Sequence, residues 1–171
     1  MIIEIKGVEF ENKGAHLMLV AIQQQLIKQW PKAKIALTSS SKASYLQRSS
    51  IAGFRKVNLR KHFLDLNLLA YFLPRSTRDW LMKKGLVTES DIDMIIDASG
   101  FSYSDQWPSK LRIYHLKNEL ERCHLYNKPY IFLPQAFGPF TNKISREWIA
   151  KSFKYAAMIC AREAQSFRYI E

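Results

Sequence analysis

Four short segments bring together the residue types that hydroxyl binding and proton transfer require. In Asn12-Lys13-Gly14-Ala15-His16, an amide, a glycine and an imidazole stand where a helix is predicted to begin. Free N–H groups at a helix start favour an anion or a sugar hydroxyl. Asn12 both donates and accepts, Gly14 lets a ligand approach the backbone, and His16 can relay a proton. In Asp97-Ala98-Ser99-Gly100 a carboxylate is followed by a hydroxyl and a glycine, a pattern suited to hydroxyl binding or acid/base work. Pro134-Gln135-Ala136-Phe137-Gly138-Pro139 holds an amide between prolines, and Arg162-Glu163-Ala164-Gln165-Ser166 offers a guanidinium fork for a carboxylate or phosphate. Each segment also has a plainer reading. Residues 12–14 make an ordinary turn, Asp97 caps its own loop, Gly138 takes a positive φ, and Arg162 pairs with Glu163.

Other chemistries are excluded more firmly. Neither GxGxxG nor GxxxxGK[ST] occurs, so there is no dinucleotide fingerprint and no P-loop. Cys123 and Cys160 stand far apart without a Cys/His ligand spacing, which argues for two buried thiols and against a zinc site. The 26 Lys and Arg against 15 Asp and Glu give a net charge of +11, so anionic partners are expected. The basic residues are scattered singly and follow no nucleic-acid motif, so nucleic acid is not expected among them. The aromatics Phe101, Tyr103, Trp107, Phe137 and Phe140 fall in two of the segments above, where they either stack on sugar rings or pack an interface.

Positioning such loops requires a frame. A 171-residue chain with 47% hydrophobic and 24% charged residues is long enough for one self-sufficient core. Strand patterns at 1–6, 34–38, 56–59, 91–97, 130–133 and 158–161 alternate with helical patterns at 14–30, 62–84 (broken at Pro74), 108–126, 145–154 and from 163 onward. Ser39-Ser40-Ser41 offers caps for a further helix. In the first helix Leu17, Val20, Ala21, Gln24 and Ile27 or Lys28 mark the amphipathic face, and in the 108–126 helix Leu111, Tyr114, His115, Asn118 and Arg122 do. Strand–helix alternation without hairpin turns predicts an α/β three-layer domain with a mainly parallel sheet of about six strands. Ligands then bind beyond the carboxyl ends of the strands, where all four segments fall. The N-terminus reads as a strand and not as a secretion signal. The apolar run Phe63–Leu73 would span only about 16 Å as a helix and cannot cross a bilayer. It reads as a buried crossover or, with Lys61, Arg75 and Arg78 nearby, as a peripheral membrane contact.

Taken in this order, Asn12-Lys-Gly14, Asp97-Ala-Ser-Gly100, Leu133-Pro-Gln135-Ala-Phe-Gly138-Pro139 and Ala161-Arg162-Glu163-xx-Ser166 resemble the polysaccharide pyruvyl transferase family across nearly the whole chain. The chain departs from the family pattern in having Ala15 and His16 where an acidic residue often follows the first loop's glycine, and in having less glycine around Ser99-Gly100. The resemblance implies one Rossmann-like half of a two-domain, GT-B-like transferase, residues 1–171 being an N-terminal domain cut before a second. It implies transfer of pyruvate from phosphoenolpyruvate, a co-substrate, onto a sugar or lipid-linked oligosaccharide of a surface polysaccharide, without cofactor or metal. The expected location is the cytoplasm, either free or peripheral to the inner membrane face. Arg and His residues of the missing half would hold the donor, and the fragment alone would be inactive. The present loops would hold the acceptor through Asn12, Gly14, Ser99, Gly100, Gln135, Gly138, Arg162, Glu163 and Ser166, with His16 and Asp97 as catalytic candidates. A nucleotide-sugar glycosyltransferase of the same architecture and a non-catalytic sugar-binding domain are the two rivals.

Overall fold

The computed structural model describes residues 1–8, 10, 12–38, 51–106 and 110–171. Its centre is β1 (Ile2–Lys6), whose side chains alternate between two buried faces. Ile3 and Ile5 face one way and join Leu19 and Leu26 of helix α1 (Lys13–Gln29) in an apolar cluster. Ile2 and the charged Glu4 and Lys6 face the other way, beneath helix α3 (Leu111–Leu125).

Around β1 the sheet extends through β2 (Lys34–Thr38), β3 (Phe54–Lys56), β6 (Leu86–Val87), β7 (Met94–Asp97), β8 (Tyr130–Gln135) and β9 (Met158–Ala161). Its seven strands run in the order β6-β3-β2-β1-β7-β8-β9, and each described pairing is parallel. The expected α/β three-layer, Rossmann-like class is therefore what the chain adopts. Helices α3 and α4 (Lys143–Ser152) cover the second face through Ile113, Leu116, Leu120 and Ile149. Helix α5 (Ala164–Ile170) follows β9. The chain order reverses between β1 and β7, where Lys6 pairs with Asp97, so a topological switch point lies at their carboxyl ends.

Several local expectations are corrected. The sheet has seven strands because the two-residue β6, too short for a periodicity to register, pairs with β3. Strand β3 lies before Val57, and the weak 56–59 pattern instead leads into a small antiparallel pair, β4 (Arg60–Lys61) and β5 (Leu64–Asp65). Residues 62–84 are not one broken helix. After this hairpin come a 3₁₀ helix (Asn67–Phe72) and then helix α2 (Arg75–Lys83). The run Phe63–Leu73 is not a buried crossover either, since Phe63, Leu69 and Phe72 are exposed. In α1 the buried row is Leu19 and Leu26, and Leu17 and Ile27 face solvent. In α3 the buried positions are Ile113, Leu116, Glu119, Leu120, Arg122 and Cys123. The 91–97 strand begins only at Met94, because Glu89–Asp91 forms a 3₁₀ turn in which Thr88 and Asp91 cap each other. The proposed cap at Ser39–Ser41 and the predicted helix start at Pro108 lie outside the described residues.

Candidate functional site at the switch point

The loops at the carboxyl ends of β1 and β7 touch through a glycine. Gly7 has φ +72°, and a Cβ there would lie 2.2 Å from the Cα of Ser99 and 2.4 Å from its nitrogen. No other residue type fits without moving the β7 loop. That loop is organised by Asp97, which is fully buried. Its Oδ1 accepts from the Ser99 amide at 2.9 Å, from Ser99 Oγ at 2.5 Å and from Gln135 Nε2 at 3.2 Å. Its Oδ2 accepts from the hydroxyls of Tyr103 and Tyr130, both at 2.5 Å. Burial, and then the Asp97 carboxylate, push both phenols well above their ordinary pKa, so they stay protonated as donors. With both oxygens so engaged, Asp97 is suited to hold the loop in shape.

Beside Asp97 runs a chain of buried ions. Lys6 Nζ donates to Glu119 Oε2 at 2.5 Å and to Tyr130 Oη at 2.9 Å. Lys56 Nζ donates to Glu4 Oε2 at 2.6 Å and to Glu119 Oε1 at 3.3 Å, while Thr38 Oγ1 donates to Glu4 Oε1 at 2.6 Å. Arg60 reaches Asp65 at 3.1 Å and Glu119 at 3.3 Å. Arg122 grips Glu89 in a bidentate pair at 2.6 and 2.9 Å. Burial works against the charge of Glu119, but Lys6, Arg60 and Lys56 outweigh it and hold the carboxyl well below the usual carboxylate range.

Above this layer opens a crevice of about 370 Å³, at the small end of ligand pockets. It is lined by Lys6 and Gly7 from β1 and its loop, by Ser99, Ser102 and Tyr103 from the β7 loop, and by Asn58, Arg60, Arg112, His115 and Glu119. Burial, followed by the Arg60 guanidinium, pushes the His115 imidazole below its ordinary pKa, which favours the neutral ring. The crevice therefore offers hydroxyls, an amide, an imidazole and paired cations, a set suited to a polyhydroxylated or oxyanion ligand. A larger cavity of about 780 Å³ lies between α4 and α5, lined by Phe140, Arg146 and Tyr169 among others. None of the four sequence segments places a polar candidate in it, so the smaller crevice is the candidate site.

The four segments are brought together in part. Asp97, Ser99 and Gln135 are joined by hydrogen bonds, and Gly100 O accepts from the Ala136 amide at 2.7 Å. Gln135 is fully buried, and its Oε1 has no hydrogen-bond partner among the described residues. The Gln135 carbonyl accepts from the Arg162 amide at 2.9 Å, and Ser166 Oγ accepts from the Phe137 amide at 2.8 Å. Ser166 also donates to Glu163, whose other oxygen accepts from Arg162 Nε at 2.9 Å. Gly138, at φ +73°, lies against the Tyr169 ring, where a Cβ would come within 2.6 Å. Asn12 caps α1, its Oδ1 accepting from Gly14 N at 2.9 Å and Ala15 N at 3.3 Å. His16 is in the first turn of α1, its ring 5.6 Å from that of Phe10. Of the sequence candidates only Ser99 lines the crevice; Asn12, Gly14, His16, Asp97, Gly100, Gln135, Gly138, Arg162, Glu163 and Ser166 do not.

Of the loop aromatics, Tyr103, Phe137 and Phe140 pack in the core, Phe101 is exposed, and Trp107 is outside the described residues. Cys123 is buried, its thiol pushed up to about 12 by burial, whereas Cys160 is only half-buried. Sequence reasoning missed Lys6, Arg60, Arg112, His115 and Glu119. A signal existed for two of them: Lys6 closes the strand that precedes the first loop, and Glu119 sits within the row Leu116, Leu120, Cys123.

Among the described residues no cluster of His, Cys, Asp or Glu is arranged to hold a metal ion, and no helix is long and apolar enough to cross a membrane. Compared with known proteins, residues 12–171 match the family model described as polysaccharide pyruvyl transferase. No curated protein and no solved structure matches the chain.

Proposed function

This chain belongs to the polysaccharide pyruvyl transferase family, a family of transferases acting in polysaccharide biosynthesis, and we propose that its switch-point crevice holds the sugar that receives the pyruvyl group. The observation that carries this reading is the crevice itself. A family member's substrate is expected at the carboxyl ends of the strands, and there Ser99, Ser102, Asn58 and His115 offer hydrogen bonds to hydroxyls beside Arg60 and Arg112. The donor is phosphoenolpyruvate and the acceptor a surface polysaccharide or its lipid-linked precursor. Proton transfer to the donor's methylene carbon makes its second carbon electrophilic, one sugar hydroxyl adds there, and phosphate leaves. A second hydroxyl closes the ketal, and the protons lost by the two hydroxyls balance the one consumed and the one carried off by phosphate. Paired cations suit the charge of this donor. In this reading the remaining donor contacts come from a second half of a two-domain, GT-B-like enzyme. Asp97 acts as a positioning residue for Ser99 and Tyr103. His16, Arg162, Glu163 and Ser166 lie outside the crevice lining, so any part they take in proton relay or binding is played from outside the acceptor pocket.

Phosphate release from phosphoenolpyruvate in the presence of a glycan acceptor tests the reading. In the active enzyme, Ser102→Ala and Arg112→Ala each raise the acceptor KM by roughly tenfold, and Arg112→Ala, which removes one of the cations, raises the donor KM as well. An unchanged acceptor KM in both variants removes the crevice from the acceptor site. Thermal stabilisation by a nucleoside diphosphate, and not by phosphoenolpyruvate or an acceptor glycan, would instead support a glycosyltransferase.

A further inference from the structure

The excursion between β3 and β6 carries an apolar surface that the fold does not bury. Its 3₁₀ helix has three residues per turn, so side chains three apart align in rows. One row, Asn67 and Ala70, is buried. Asn67 Oδ1 accepts from the Leu59 amide at 2.9 Å, and its Nδ2 donates to Asp65 Oδ1 at 2.7 Å, which pins the segment to the hairpin. The opposite row, Leu66, Leu69 and Phe72, is left facing outward, with Phe72 74% exposed. Phe63 and Leu64 of the hairpin and Leu68 line a shallow groove with Leu125 of α3, which Asn118 and the Lys117-paired Glu121 also line, and Phe63 is itself 62% exposed. Contiguous exposed apolar surface of this kind marks an interaction site.

The charges carried by the same excursion point to the partner. Arg60 is engaged by Asp65, and Arg78 by Asp91 at 3.0 Å. Lys61, Lys83 and Lys84 are exposed and have no ion-pair partner among the described residues. Asp79, the exposed acid of this region, is 4.0 Å from Arg75. A second copy of the chain would bring another net charge of +11 against this rim and be repelled. A sheet of anionic headgroups over an apolar interior satisfies both features, the lysines meeting phosphate and the Leu and Phe side chains entering the acyl boundary.

We propose that residues 59–84 form a docking surface for an anionic lipid bilayer, seated through Leu66, Leu69, Phe72 and Phe63 and held by Lys61, Lys83 and Lys84. This proposal rests on the exposed surface alone and is independent of the reaction assigned to the crevice. It is tested by sedimenting the chain with vesicles of phosphatidylcholine alone and of phosphatidylcholine mixed with phosphatidylglycerol. The chain should pellet with the anionic vesicles, and high salt should weaken binding. Leu69→Ser with Phe72→Ser should lower binding by more than about tenfold. Lys61→Glu with Lys84→Glu should lower it by at least about tenfold. Both double variants should melt at the parent's temperature, because the altered side chains are exposed. Absence of pelleting with anionic vesicles, or pelleting that survives both double variants, overturns the proposal. So does a lowered melting temperature in both, which would show that the surface is packed. A dimer by light scattering that Phe72→Ser dissolves would assign the row to self-association instead.

Discussion

The two sides of β1 are built on opposite principles within five residues, although the α3 side of the sheet as a whole also holds an apolar cluster around Tyr130, Phe132 and Ile149. Ile3 and Ile5 enter an apolar cluster with Leu19, Leu26, Ile35 and Leu37, the ordinary way in which a parallel strand is buried. Glu4, one residue out of phase, is equally withdrawn from water and Lys6 is half-buried, and they meet Lys56 and Glu119. Buried ion pairs seldom stabilise a fold better than well-packed hydrocarbon, because desolvation offsets most of their attraction. The charged face therefore makes sense as a positioning device. Its ions underlie the crevice, while apolar clusters on both faces of the sheet supply cohesion.

This contrast is broken most severely by removing the shared anion. Glu119→Ala leaves Lys6, Lys56 and Arg60 facing one another without their common carboxylate, and should cost about 3–5 kcal/mol in urea unfolding. A cost below about 1 kcal/mol would show that the network is solvated and unimportant. Replacing a pair together sharpens the point: Glu4→Leu with Lys56→Met should stay within about 1–2 kcal/mol of the parent, although either single change is costly.

Gly7→Ala attacks the seam between the two loops, and the forced movement of Ser99 should cost about 2–3 kcal/mol. On the apolar face, Ile5→Val removes one buried methylene and should cost only about 1 kcal/mol, with the crevice undisturbed. Acid separates the faces without mutation. The folded pKa of Glu119 lies below its unfolded value, so its contribution is complete above about pH 4.3 and is lost as pH falls toward the folded value. Thermal melts should therefore drop on acidification below about pH 4.3 in the parent and less steeply in Glu119→Gln.

The strand–helix alternation was legible because each long element carries one clear period, whereas of the loop candidates only Ser99 lines the crevice. What escaped notice did so for physical reasons. Glu4 and Lys6 alternate with Ile3 and Ile5, the pattern of a half-exposed strand, and sequence alone does not show that α3 covers the charged side with a matching Glu119. Arg60 and His115 reach the crevice from a hairpin and a helix distant in sequence from Ser99, so no local motif unites them. The run from Phe63 to Leu73 has helical composition, yet Asn67 anchors it in a tight 3₁₀ turn that exposes most of its apolar side chains. Asn12 was singled out as a ligand residue, and the oxygen that suggested it accepts from Gly14 and Ala15.

The central claim is that the charged face builds a sugar-binding crevice at the β1/β7 switch point. Amide chemical shifts of the isotope-labelled chain, followed while methyl glycosides and phosphoenolpyruvate are added, test it most directly. The account predicts that the glycosides perturb Gly7, Ser99, Ser102 and Arg112 together. Perturbation confined to the α4–α5 cavity around Phe140, Arg146 and Tyr169, with the switch point unmoved, would contradict it.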